Sequence, residues 1–181
     1  MAFEVTFELS DSDLEHFRGV MHKAQNNAKH LSEETILANA KRLIDAIHGN
    51  VPGFVKERID KLQRLIAMIE DQEWQLPEEE KQDVLCALAY FSDPQDLVPD
   101  DIPALGFLDD AIMIELVAMD LHDDIEAFDE FCSYREREKE RASDTITKDD
   151  WLDAKRRELH SRMRHRRSSR RSGGSSFRSI F

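Results

Sequence analysis

The chain has 181 residues, 40% hydrophobic and 35% charged, with 38 acids against 25 bases and a formal net charge of −13 at pH 7. That length suits one domain with enough apolar material for a single core, and no uncharged run exceeds ten residues, which excludes a membrane-spanning helix of ~20 apolar residues. The opening MAFEVTFELS lacks the basic and apolar regions of a secretory signal, and two cysteines 46 positions apart make neither a disulfide framework nor a zinc spacing, so a cytoplasmic protein is expected.

In chain order, residues 3–8 alternate Phe-Glu-Val-Thr-Phe-Glu, the pattern of a short strand. A lone strand needs a partner: its copy in a homodimer, or the helices, with Phe3, Val5 and Phe7 inward. Everything that follows reads as helix. Ser10 caps the first, with Asp11 and Asp13 in the first turn and an apolar face of Leu14, Phe17, Val20 and Met21. Ser32, Glu33 and Glu34 open a second through Ile36, Leu37, Ala40, Leu43 and Ile47, ended by Gly49 and Pro52. A third runs from about Phe54 to Trp74, with Ile59, Leu62, Leu65, Ile66 and Ile69 at three-four spacing. A fourth spans Pro77 to Phe91, with Pro77 at its first position and three glutamates in its first turn.

Pro94, Pro99, Pro103 and Gly106 fill the next connection. One continuous fifth helix is expected from Phe107 past Tyr134, because Phe107, Ala111, Ile114, Ala118, Leu121, Ile125, Phe128 and Cys132 recur at four and three without a break. Thr147, Asp149 and Asp150 open a last helix through Trp151, Leu152, Leu159 and Met163. Beyond Arg164 the Arg/Ser/Gly composition predicts disorder. The expected fold is therefore all-α: a helical bundle of five to six helices with a short N-terminal strand and a disordered basic C-terminal tail. Its parts are an acidic helical domain at 1–145, a basic helix at 146–165 and a tail at 166–181.

Residues 88–115, LAYFSDPQDLVPDDIPALGFLDDAIMIE, carry Tyr90, Phe91, Pro94, Asp96, Leu97, Val98, Pro99, Asp100, Ile102, Pro103, Gly106, Leu108, Asp109 and Asp110 in fixed register. This segment resembles the signature of the YkvA-like family, a bacterial domain of unknown function. The resemblance implies a helical hairpin with a proline-rich elbow, and membrane association in many relatives. Asp93 and Asp101 add charge to the elbow here, and Glu115 interrupts the apolar run after it. No activity comes with the resemblance.

The elbow carboxylates have two readings. As structure, Asp109 and Asp110 suit the start of a helix, and Asp96 and Asp100 can accept bonds from local amides. As chemistry, Asp96, Asp100, Asp109 and Asp110 would offer hard oxygen ligands to Mg²⁺, Mn²⁺ or Ca²⁺ if they converged. His122, Asp123, Asp124 and Glu126, with His16, His22, His30 and His48, are a weaker metal set and a solvated acidic face is the simpler reading. Cys86 and Cys132 sit among apolar residues as small core side chains. Glu115, flanked by Ile112, Met113, Ile114, Leu116 and Val117, is a secondary site candidate. No phosphate loop or nucleophile elbow occurs, and no catalytic or cofactor-binding residue is nominated.

Charge is divided along the chain. Residues 155–181 hold ten bases and one acid, a net +9, which leaves −22 on residues 1–154. Arg162, Arg164, Arg166, Arg167, Arg170 and Arg171 form the candidate partner-binding cluster, able to meet phosphates or to fold back on the acidic body. The leading expectation is a non-enzymatic interaction module, using elbow and tail to bind a protein or other anionic partner. A metal-dependent hydrolase at the elbow carboxylates, RNA or DNA binding through the tail, and peripheral membrane contact remain alternatives.

Overall fold

The computed structural model describes residues 8–47, 52–92, 107–141 and 148–172. Seven α-helices fill them: α1 (Asp11–Ala28), α2 (Glu33–Ala46), α3 (Gly53–Glu70), α4 (Glu78–Leu88), α5 (Leu108–Asp120), α6 (His122–Arg141) and α7 (Lys148–Ser172). A 3-10 turn, Ala89–Ser92, extends α4. The architecture is all-α, with no strand among the described residues. The strand expected at residues 3–8 falls almost wholly outside them.

The starts of the first two helices follow from local chemistry. Ser10 accepts from the Asp13 amide while the Asp13 carboxylate takes the Ser10 amide at 2.8 Å, a reciprocal capping box. Ser32 accepts from the Thr35 amide at 3.2 Å. Pro77 stands one position before α4, where its missing donor leaves no bond unmade. Between α3 and α4 the Asp71 carboxylate collects the Glu73 and Trp74 amides at 2.9 Å each, and Gln75 takes a left-handed conformation (φ 50°) to turn the chain.

Helix α3 is the axis of the bundle, packing against α2, α4, α5 and α6, while α1 and α2 close over α4 and its 3-10 turn. Leu62, Leu65 and Met68 of α3 meet Ala40, Val84, Ala87, Leu88, Met113 and Ile114 in a solvent-free interior. Burial of such side chains stabilises by about 1.5–3 kcal/mol each.

Two expectations are corrected. The single long helix is two, separated at Leu121 (φ −98°, ψ 17°). The Leu121 amide still reaches the Val117 carbonyl at 2.9 Å, so the apolar spacing crosses the junction undisturbed. Asp123 and Asp124, in the first turn of α6, are the start signal within that stripe. The last helix also does not stop near His165 but continues to Ser172. Composition predicts disorder there because it offers little to bury; ion pairs with the body hold the helix instead.

Candidate functional site

The basic cluster is the most changed by folding. Acids recur along α6 at Asp123, Glu126 and Glu130, three and four residues apart and so on one face. Arg166 lies 2.6 Å from Glu126 and 3.6 Å from Asp123. One step up, Glu130 receives both Arg162 and, at 2.7 Å, Lys155. Pairing later residues of α6 with earlier ones of α7 makes the two helices antiparallel. Hydrogen bonds from these cations hold the Glu126 and Glu130 carboxyls below their ordinary range, and Glu130 in turn raises the Lys155 ammonium.

Arg167 turns inward, nearly without solvent, to Asp83 and to Glu80 (3.6 Å) on α4. Glu80 is 2% exposed, so this is a buried charge pair fixing the far end of α7 to the body. Three of the six candidate arginines, Arg162, Arg166 and Arg167, are thus engaged by the protein's own carboxylates. Arg164 is exposed, and the side chains of Arg170 and Arg171 lie outside the described ones.

Between the two ion-pair groups and the 71–77 loop sits an aromatic knot. Trp74, fully buried, has ring centroids of Phe131 at 5.0 Å, Phe128 at 5.7 Å and His160 at 4.4 Å. Arg135 ties the loop to α6 through Asp71 and Glu73, at 2.8 Å each, and Arg156 of α7 reaches the Glu73 carbonyl at 2.9 Å. Tyr134 and Trp151 stack edge to face at 5.2 Å, with Lys155 over the tyrosine ring.

The elbow carboxylates divide. Asp96 and Asp100 fall outside the described residues. Asp109 and Asp110 stand buried in the first turn of α5, both with interactions inside the chain, at a helix start where Phe107 supplies no side-chain cap. Among the described residues no group of three or more His, Cys, Asp or Glu is arranged to hold a metal ion. His16, His22 and His30 are exposed, and the His22 ring bonds Asn26 at 2.8 Å. Cys86 and Cys132 are half-buried, and burial raises both thiols above their ordinary range, away from nucleophilic thiolate.

Glu115 resolves into a site of another kind. It is half-buried and receives Lys61 at 2.6 Å and Arg58 at 3.0 Å, both from α3. Arg58 and Glu115 of this triad form one wall of a groove of about 370 Å³ lined also by Leu9 and Leu14 from the N-terminal side, Phe54, and the α5 row Leu108 to Met119. Phe54 is 39% exposed and Met119 54%, the two large apolar side chains most open to solvent among the described residues. Neither was singled out by sequence, because an isolated exposed apolar residue is ordinary. Their convergence needs two helices, α3 and α5. The signal available was Met119, which spoils the polar sector that Glu115 would otherwise share.

No described helix is long and apolar enough to cross a membrane. No curated protein and no solved structure matches the chain. Residues 84–116 match the model of a family described as "Protein of unknown function (DUF1232)". That stretch runs from Val84 in α4 to Leu116 in α5, and over it the chain carries the segment of this family of unknown function, in line with the YkvA-like resemblance of its elbow.

Proposed function

We propose that this protein is a non-enzymatic interaction module that receives an amphipathic helix of a partner protein in the groove between α1, α3 and α5. The observation that carries this reading is the joint exposure of Phe54 and Met119 on one apolar groove. On α5 the groove is lined by Leu108, Ala111, Ile112, Glu115, Leu116 and Met119, a helical face about three turns long, ~16 Å at 1.5 Å per residue. A face of that length matches three turns of a partner helix with apolar anchors at three-four spacing. The Arg58–Glu115–Lys61 triad gives the apolar floor a polar edge that fixes orientation.

The basic tail has a smaller part in this reading than its composition suggests, since Arg162, Arg166 and Arg167 already have carboxylate partners. A photoreactive amino acid placed singly at Phe54, Met119 or, as a control, exposed Asn26 tests the proposal in cells. One protein crosslinked from the first two positions and not from Asn26, and lost from the Met119 position when Phe54→Asp is added, supports it. Absence of any such product from both groove positions overturns it.

A further inference from the structure

His160 is the one buried histidine among the described residues, at 8% exposure. Its ring stands edge-on to Trp74 at an interplanar angle of 76°, bonds to the Trp74 backbone, and leaves Nε2 with no hydrogen-bond partner among the described residues. The charged groups around this seat are Arg156 and Arg164 on α7, Asp71 and Glu73 in the loop, and Arg135 on α6. Both loop carboxylates are already taken by Arg135, at 2.8 Å each. A proton added to His160 would therefore make a buried cation in company with arginines, next to an indole and without a carboxylate of its own.

We propose that α7 is an acid-sensitive clasp: protonation of His160 in its seat against Trp74 undocks the helix from α6 and the 71–77 loop while α1 to α5 stay folded. The contacts of the helix favour separate release. It packs chiefly along α6, with Leu152, Leu159 and Met163 buried in the core, and its polar hold beyond α6 is on the loop through Arg156 and on α4 through Arg167. Acid acts first on His160, which gains a charge that its buried seat does not solvate, while Glu126 and Glu130, held below their ordinary range by their cations, keep the charge that pairs them with α7. Burial, with Arg156 and Arg164 beside it, keeps the imidazole neutral down to about pH 4. An imidazole freed to its ordinary pKa near 6.5 takes up the proton about 300-fold more readily, and undocking is driven by that difference.

The test uses the full chain with Trp151→Phe, so that Trp74 is the remaining tryptophan of the two. Fluorescence and amide hydrogen exchange are followed from pH 7 to pH 4. The expected result is exposure of Trp74 with rapid exchange across residues 148–172 below about pH 5, while α3 and α5 stay protected. His160→Phe, which keeps the ring against Trp74 and removes the proton site, should lower the midpoint by at least about one pH unit. A single transition in which α3, α5 and α7 open together, or an unchanged midpoint in His160→Phe, overturns the proposal. If that variant does not fold, the NMR titration of the His160 ring in the Trp151→Phe chain decides. A neutral ring through about pH 5 upholds the clasp, and titration near the ordinary 6.5 removes it.

Discussion

The body from α1 to α5 and the hairpin of α6 and α7 are both helical and are held by different forces. In the body, α3 is surrounded by apolar neighbours and its charges lie at the rim, as with Lys41 and Glu70. The hairpin has one aromatic knot, the buried Leu152, Leu159 and Met163, and a succession of ion pairs: Arg135 with Asp71 and Glu73, Lys155 and Arg162 with Glu130, Arg166 with Glu126, Arg167 with Asp83. Apolar packing has no charge to titrate or to screen, whereas exposed ion pairs weaken in acid and in salt. The two halves of one chain should therefore respond differently to the same solvent.

The largest effect expected is at the knot. Trp74→Ala removes the side chain that Phe128, Phe131 and His160 share, and should lower stability by about 3–5 kcal/mol in urea unfolding. Loss of exchange protection should be greatest in α6 and α7; equal loss in α2 would erase the distinction between the two regions. Arg167→Met comes next, since it strands Glu80 in the interior, with about 3 kcal/mol lost. Adding Glu80→Gln should recover most of that, because the harm lies in the unpaired charge rather than in the lost attraction.

The pH dependence is expected to be of intermediate size. His160 is neutral in the folded protein down to about pH 4 and takes a proton near 6.5 when unfolded. Between those values the unfolded chain binds the extra proton, so stability is complete above about 6.5 and falls as pH drops towards 4. With solvent screening allowed for, the loss is about 2 kcal/mol, and between pH 6.5 and 4 the urea midpoint of wild type should fall more than that of His160→Phe. Ser10→Ala in the body should cost about 1 kcal/mol through the lost cap, independent of salt. Arg166→Ala should have the smallest effect, and at about 1 M salt, where the Debye length is ~3 Å, it should be indistinguishable from wild type.

These differences also explain what was legible before folding. Ser10 and Ser32 were legible as caps, and the apolar face of α3 from Ile59 to Ile69, because caps and periodicity are local. The junction at Leu121 was hidden, since its amide keeps its helical bond and the stripe of Ile114, Ala118, Leu121, Ile125 and Phe128 passes through it. The helix beyond His165 was hidden for the opposite reason. Arginine is a good helix former, but what orders this stretch is Glu80 and Asp83, more than eighty residues earlier in the chain. Glu115 was recognised as unusual. The groove it borders was not, because Phe54 and Met119 come from different helices and meet only in the tertiary structure.

The Leu121 junction also sets the rotational phase of α6 relative to α5. A helix turns about 100° per residue, so one residue inserted or deleted there would rotate α6 by that angle relative to α5 and to the seat of α7. Phe128 and Phe131 would swing off Trp74, and the acid row of Asp123, Glu126 and Glu130 would face away from α7. No side chain would have changed, yet the knot and the ion-pair row would be lost together. The same single-residue change after Glu138, past the last of these contacts on α6, would leave that phase intact. The spacing at Leu121 should thus tolerate length variation least, although only Asp123 and Asp124 mark the junction in the sequence.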